Sequence, residues 1–377
     1  MKSNKLKQHN VIDIMRNFTL IGLSVAVAII AVFSAAMWKG SAVRNSENGT
    51  LVTINSAVLP GSAPVQVKSS EIKNIPWEDT EPIAAKLRAC AAAELSRRDV
   101  SVGLPGYVKR CFSPSASHEF EIFFVGTGAD DFPAARYGKP GVRGYSSILL
   151  NGRILIDAGV TAYSAMKRFG VDVRKIEEVL FTHSHRDHCY DKAVIGLLEE
   201  RKRLGCRPLI CHGEARVINK IKSFLPEELA GEIICKPCKP YEEFTCGKWK
   251  VVPVPANHVT GIRDEQCLHF VINGEKKKLF YALDGAWLCA GTWRYIRSKS
   301  IDMVIWDGAL EASGDRRVFV HNDLRMVQQM IVSLTAAKAF HPETIHVLSH
   351  LSLEAWDHPP RVPAPLFAAE DGMKIYL

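Results

Sequence analysis

The chain has 377 residues, of which 47% are hydrophobic and 23% are charged, so a buried core is expected and wholesale disorder is excluded. The length predicts one large domain with additional segments. The net charge of +8 suits an anionic substrate or a membrane surface, and it is equally compatible with ordinary solubilising surface charge.

Residues 18–38 carry no charge and are rich in Ile, Val, Ala and Leu, a run long enough to span a bilayer. Four basic residues and one acidic residue precede it, which places residues 1–17 in the cytoplasm and the rest outside, on the periplasmic or extracytoplasmic side. We therefore predict a single-pass signal anchor formed by an N-terminal transmembrane helix. The alternatives are secretion after cleavage of a signal peptide, with Ser34-Ala35-Ala36 as the cleavage region, and a buried core helix.

The next two segments lack chemistry-bearing motifs. Residues 39–76 are rich in Ser, Asn, Gly, Pro and Val without helical periodicity, which is typical of a linker. Residues 77–118 are predicted to form a small helical extension, since 79–98 are rich in Ala and Leu and Pro82 stands near the expected helix start. Residues 119–377 then form the large domain.

Strands and helices alternate along the large domain. A strand over 120–125 leads into Gly126-Thr127-Gly128, and Asn151-Gly152 predicts a hairpin over 146–157. Later segments predict further strands and helices, including a long amphipathic helix over 323–340 and a strand over 344–348.

Residues 182–188, Thr-His-Ser-His-Arg-Asp-His, offer four metal-binding side chains within six positions. The apolar run 179–181 before them and the helical pattern after them place the motif on a strand-to-helix turn. On such a turn His183 and His185 can hold one ion while Asp187 and His188 hold a second, which is a two-metal arrangement.

Four other apolar runs, one before the histidine motif and three after it, also end in residues that could complete a metal site. They end at Asp157, at His258, at Asp284 and at His350. Each residue alone is weak evidence, because strands often end in a polar residue at a turn. Four runs with the same ending, in a chain that holds the histidine motif, indicate one shared site.

With these residues the chain resembles the metallo-β-lactamase fold superfamily of dinuclear metallo-hydrolases from about residue 119 to 377. The segments 123–128, 348–352 and 371–375 most resemble its phosphodiesterase branch, which holds tRNase Z and the cyclic-phosphate phosphodiesterase of the carbon-phosphorus lyase pathway. The second is more similar, because His321-Asn322 precedes a helix as in that enzyme. The resemblance implies an α/β fold, an αββα sandwich of two facing sheets with helices outside.

The resemblance also implies a ligand set and a reaction. Asp187 and His321 become the candidate catalytic residues, and Asp157 orients a ligand without binding metal. A hydroxide bridging the two ions would attack a small or cyclic phosphodiester. Zinc suits these ligands best, and manganese or iron would also be accepted. The implied ligands of the two ions are His183, His185 and His258 for one, Asp187, His188 and His350 for the other, and Asp284 between them.

Other functions use the same residues. A lactonase or thioesterase would place the same metals at an acyl carbon, and His321 is the residue expected to favour a phosphoryl group. His321 could also be a solvated neighbour of the helix cap at Asn322 and Asp323. A non-catalytic scaffold would have lost ligands, and none is lost. One departure from the family is Cys189-Tyr190-Asp191, where many members carry a glycine.

The expected partners are a small anionic substrate and the membrane, through the N-terminal helix. No nucleic acid is expected, because no long arm rich in Gly and Lys is present to grip tRNA; the sequence leaves open whether the protein forms a homodimer. Ten cysteines suit an oxidising compartment without proving it. Cys235 and Cys238 are predicted to form a structural disulfide or to be two free thiols in a loop, and Cys189 is predicted to pack under the site.

Overall fold

A computed structural model of the chain describes residues 51–54, 65–68, 104–115, 117–139, 141–311, 316–353, 362 and 365–377. The predicted membrane span 18–38 and the predicted helix 79–98 lie outside these residues. No helix among those described is long and apolar enough to cross a membrane. The chain divides into two compact units, residues 1–98 with 312–319, and residues 99–311 with 320–377.

In the first unit, strands Leu51–Ile54 (β1) and Val65–Lys68 (β2) pair in antiparallel register. Both lie within the predicted linker 39–76. Their alternating Val, Ile and Thr content explains the pairing, since β-branched residues favour extended backbone. The boundaries proposed for this part of the chain remain predictions.

The second unit contains the remaining strands and all the described α-helices. The strands are Glu121–Gly126 (β3), Ser147–Leu150 (β4), Ile154–Ile156 (β5), Glu178–Leu180 (β6), Leu209–Gly213 (β7), Ile233–Pro237 (β8), Phe244–Cys246 (β9), Trp249–Pro255 (β10), Leu268–Asn273 (β11), Lys278–Ala282 (β12), Ile301–Asp307 (β13), Phe340–Ser349 (β14), Phe367–Ala368 (β15) and Lys374–Tyr376 (β16). The helices are Gly106–Arg110 (α1), Ala162–Arg168 (α2), Asp191–Arg203 (α3), Ala215–Phe224 (α4), Ala290–Ile296 (α5) and Leu324–Ala336 (α6).

These strands form two seven-stranded sheets of mixed direction. One has the order β16-β3-β4-β5-β6-β7-β8, antiparallel up to β5 and parallel from β5 onward. The other has the order β9-β10-β11-β12-β13-β14-β15, antiparallel up to β12 and parallel from β12 onward. The two sheets therefore repeat one layout, an antiparallel half followed by a parallel half.

Side-chain alternation along the strands builds two apolar layers. On β3, Ile122 and Phe124 point into a core shared with residues of the other sheet, such as Phe270 and Ile305. Phe123, on the opposite face, packs in a second core with residues of α2, α3 and α4. Helices α5 and α6 contact strands of the other sheet. The predicted α/β fold, two facing sheets with helices outside, is confirmed for this unit.

The predicted helix over 323–340 is too long. It ends at Ala336, and Lys338 adopts a left-handed backbone with φ of 58°. Phe340 already belongs to β14, which is longer than the predicted strand 344–348. The helix stops here because Ala339 donates its N–H to the Leu334 carbonyl, a closing turn that redirects the chain into the sheet.

Candidate metal centre

Parallel strands of both sheets end beside the same group of polar residues. In one sheet Asp157 follows β5, and the histidine motif follows β6. In the other, Asp284 follows β12, and His350 follows β14. Ligand sites lie at the carboxyl ends of parallel strands because neighbouring strands deliver their following residues to one edge.

Three of these residues have a left-handed backbone although none is glycine. The φ angles are 64° for Asp157, 52° for Asp284 and 58° for His350. Such conformations cost about 1–3 kcal/mol each and cluster where the surrounding structure holds side chains for a function. The strain is consistent with side chains held in place for ligand binding.

The loop that carries the histidine motif is held by charged residues distant in sequence. The Ser184 N–H donates to Glu265 Oε1 at 2.7 Å, and the Ser184 hydroxyl donates to Glu265 Oε2 at 2.5 Å. Lys220 Nζ donates to the Ser184 carbonyl. Because these bonds fix the residue between His183 and His185, the two imidazoles are positioned before any ligand arrives.

One group of side-chain donors contains His183, His185, His258 and Asp284. His185 Nδ1 lies 3.0 Å from His183 Nε2 and 3.1 Å from His258 Nε2. Asp284 Oδ2 lies 3.8 Å from each of those two Nε2 atoms. Three imidazole nitrogens and a carboxylate oxygen therefore face one point.

A second group contains Asp187, His188, His350 and, again, Asp284. Asp187 Oδ2 lies 3.2 Å from His188 Nε2 and 3.3 Å from His350 Nε2. Asp284 Oδ1 lies 2.9 Å from His188 Nε2, and its Oδ2 lies 3.3 Å from His350 Nε2. The structure thus brings all seven candidate ligands together in two groups that share Asp284.

These donor sets fit divalent metal ions. Four ligands held tetrahedrally at bond lengths of about 2.0–2.1 Å lie roughly 3.3 Å apart, and the observed separations scatter around that spacing. Among the described residues, His188 Nε2 and Asp284 Oδ1 are buried and, although 2.9 Å apart, do not have the geometry of a hydrogen bond; His350 Nδ1 is also buried without a hydrogen bond. Buried polar atoms of this kind are costly unless a cation or proton satisfies them.

The electrostatics differ between the two groups. Burial lowers the pKa of His183, His185 and His258, that of His258 to about 4, so these imidazoles are neutral as metal binding requires. Burial also opposes charge on His188 and His350, yet the surrounding carboxylates, Asp284 foremost, raise the pKa of both. This part of the centre therefore favours positive charge, which a metal ion can supply in place of protons.

Asp157 lies behind His188. Its Oδ2 lies 2.8 Å from His188 Nδ1, while Thr182 donates its N–H and its hydroxyl to the same carboxylate. A Cβ at Gly159 would collide with the Asp187 carbonyl, so the chain can pass this close to the motif only as glycine. The contact leaves His188 Nε2 turned toward the other ligands.

Replacing Asp157 by Asn is expected to lower the affinity for one metal ion by roughly 10–100-fold, the usual effect of losing a carboxylate that orients a ligating histidine. The affinity is measured by titrating metal into apoprotein while a chelator competes. Thr182→Val keeps the carboxylate and removes a hydroxyl that contacts both Asp157 and His183 Nδ1, so it is the comparison variant and should have a smaller effect. An unchanged affinity in Asp157→Asn would show that the carboxylate does not orient the ligand.

His321 lies over both groups. Its ring stacks on that of His350, with centroids 5.2 Å apart, and lies 5.1 Å from that of His258. His321 Nδ1 is 2.7 Å from Asp307 Oδ2. Burial opposes protonation of His321, but the Asp307 carboxylate outweighs it and raises the His321 pKa. Asp323, its predicted neighbouring cap, does cap α6 by accepting the Met326 N–H.

Sequence reasoning missed Asp307. Besides His321, this fully buried carboxylate accepts the N–H groups of Gly285 and Ala309, and it lies 3.8 Å from His350 Nδ1. A signal was available, because Asp307 ends the apolar strand β13 as the candidate ligands end theirs. Glu265 was missed as well, and nothing local marks it, since it lies in a polar loop.

The cysteine predictions have different outcomes. Cys189 is buried against the motif, and burial raises the pKa of its thiol to about 12. Cys235 and Cys238 are free thiols, the second of the two predicted alternatives, although Cys235 lies on β8 and not in a loop; all nine described cysteines are thiols. The reason is geometric: Cys238 packs between the sheets, whereas Cys235 faces the helix-covered core. Cys235 is instead the register partner of Cys211 on β7.

Comparisons with solved structures support the fold. The metallo-β-lactamase fold protein YhfI from Bacillus subtilis matches with a TM-score of 0.53 and 18% identity over 68% of this chain and 98% of YhfI. A diphosphatase from the PhnP family matches with a TM-score of 0.52 and 18% identity over 68% of this chain and 96% of its own. Zinc-bound PqqB from Methylobacterium extorquens matches with a TM-score of 0.50 and 17% identity over 68% of this chain and all of PqqB.

Sequence comparison supplies the family. No curated protein sequence gives a significant match. The family model of the beta-lactamase superfamily domain matches residues 152–342, about half of the chain, and includes six of the seven candidate ligands. The chain therefore belongs to the beta-lactamase superfamily, in its metallo-β-lactamase fold branch of metal-dependent hydrolases.

Proposed function

We propose that the protein is a dinuclear metallo-phosphodiesterase that hydrolyses a small or cyclic phosphodiester. The observation that carries this proposal is the His321–Asp307 pair, which stands over ligand candidates of both groups. A phosphodiester carries a negative charge over two non-bridging phosphoryl oxygens, and an imidazole held ready to be protonated can donate a hydrogen bond to one of them, whereas a lactone or thioester has a single neutral carbonyl oxygen to polarise.

Each side chain then has a defined task. His183, His185 and His258 would hold one ion, Asp187, His188 and His350 the other, and Asp284 both. When bound, two such ions lower the pKa of water toward neutrality and polarise a phosphoryl oxygen. His321 bonds Asp307 through Nδ1, so its Nε2 is left to donate a proton to the leaving alkoxide or a hydrogen bond to a phosphoryl oxygen.

We propose zinc as the metal, with manganese or iron as substitutes that the same ligands accept. The imidazole-rich first group supports zinc, and PqqB, a similar fold, binds zinc. The similar PhnP-family protein is a diphosphatase, which supports a phosphorylated substrate over a lactone or thioester. The proposed substrate is therefore a small anionic molecule. The other proposed partner is a membrane, and no nucleic-acid partner is proposed.

The function is tested by hydrolysis assays on the full chain reconstituted separately with zinc, manganese and iron. The substrates are bis-p-nitrophenyl phosphate, a cyclic nucleotide, a lactone and a thioester. We expect turnover of a phosphodiester with at least one metal and little turnover of the acyl substrates. Efficient lactone or thioester hydrolysis with inert phosphodiesters would assign the centre to an acyl hydrolase instead.

We also propose that residues 18–38 anchor the enzyme with its catalytic domain outside the cytoplasm. The charge-free length and the basic residues before it support this topology. Protease added to intact spheroplasts is expected to digest the catalytic domain while a cytoplasmic marker stays whole. Protection until lysis would reverse the topology, and release of a domain that begins near Met37 would identify a cleaved signal peptide.

A further inference from the structure

Outside the candidate metal centre, three side chains with metal-binding atoms meet between the two sheets. Glu178 begins β6, His212 lies on β7, and Cys246 ends β9, an edge strand of the other sheet. Their ligand atoms lie within 4.8 Å of one another. All three residues are buried, and none belongs to the two groups described above.

The surroundings hold these side chains in one orientation. His212 Nε2 lies 2.7 Å from Glu178 Oε2, and the Gly247 N–H donates to Glu178 Oε1 at 2.6 Å. The His212 ring stacks on Phe244, with centroids 4.5 Å apart and planes 16° apart. A backbone donor on the carboxylate and a ring that fixes the imidazole are the kind of support that metal ligands receive from their neighbours.

We propose that Glu178, His212 and Cys246 bind a zinc ion that is separate from the dinuclear centre. Thiolate, imidazole and carboxylate together are a zinc donor set, and the soft sulfur ligand disfavours magnesium, calcium and manganese. Water would take the fourth position. On binding, Cys246 loses its thiol proton to solvent and the sulfur forms the metal bond.

Charge balance supports a cation here. Glu178 is a buried carboxylate, and buried charges are normally paired or bound to metal. Because Cys246 comes from one sheet and the other two ligands from the facing sheet, the ion would tie edge strand β9 across the core.

Cobalt substitution tests this site without any activity assay. A thiolate bound to Co²⁺ gives a near-ultraviolet charge-transfer band, and the dinuclear centre contains no sulfur ligand among its candidates. Full-length protein loaded with Co²⁺ is expected to show the band, and added zinc should abolish it. The band should be absent in Cys246→Ser and persist in Cys235→Ser, a control at a half-buried cysteine elsewhere.

Metal content gives a second readout. Cys246→Ser is expected to lose about one equivalent of metal per chain relative to the wild type, and His188→Ala should lose its equivalent from the dinuclear centre yet keep the cobalt band. If Cys246→Ser does not fold, as judged by circular dichroism, His212→Gln replaces it. A cobalt-saturated wild type without the band, or a band that survives in the folded Cys246→Ser, would overturn the proposal and leave a hydrogen-bonded triad.

Discussion

Phosphodiester hydrolysis is expected to fall by at least about 100-fold in His188→Ala, since metal ions contribute several kcal/mol to such reactions and about 1.4 kcal/mol corresponds to tenfold. His188 Nε2 lies within 3.2 Å of both Asp187 and Asp284, so its loss opens the second donor group. Elemental analysis should show about one metal ion fewer per chain than the wild type. Steady-state kinetics at saturating metal gives the fall in rate.

His341→Ala is the control, a histidine-to-alanine change outside the centre. His341 lies near the start of β14, at the opposite end of that strand from the candidate ligand His350. This variant should keep the wild-type metal content and turnover. If His188→Ala also kept both, the second group would not be a metal site. A wild-type chain that held no more than one ion at the two donor groups that share Asp284 would likewise contradict a dinuclear centre.

Turnover of phosphodiesters is expected to fall at least about tenfold in His321→Ala. General acid catalysis typically contributes about 10²–10⁴-fold, and water can replace part of the lost proton donation. His321 belongs to neither of the two donor groups that share Asp284, so the dinuclear centre should keep its metal. The fall should appear in kcat, because the proton is needed by the leaving group. Metal content and kinetics are measured on the same preparation.

A substrate with a good leaving group sharpens this test. A p-nitrophenolate leaving group needs little protonation, so His321→Ala should lose less activity on bis-p-nitrophenyl phosphate than on a phosphodiester with an alkyl leaving group. Asp307→Asn should show the same dependence on leaving group in weaker form, because Asp307 positions His321. Equal losses on both substrates would make His321 a binding residue. Unchanged turnover with full metal content would remove it from the reaction.

The sequence by itself determined the features that depend on residues close together in the chain, namely most strands, a hairpin and the metal-binding motif. Short apolar runs predicted most strands, because a strand covered on both faces is apolar at nearly every position. Asn151-Gly152 predicted the hairpin between β4 and β5. The motif over 182–188 predicted two adjacent sets of ligands, because its spacing alone keeps those side chains close on a turn.

Only the tertiary structure decided which distant residues meet, because contacts between residues far apart in sequence depend on how the strands are ordered in the sheets. Parallel pairing of β12, β13 and β14 brings Asp284, Asp307 and His350 to one edge, and there Asp307 meets His321. Cys235 and Cys238 also face different cores, because they lie three positions apart on and just after β8 and side chains alternate between the two faces of a strand. The tertiary structure also joins Cys246 to the facing sheet, a meeting that no spacing in the sequence could indicate.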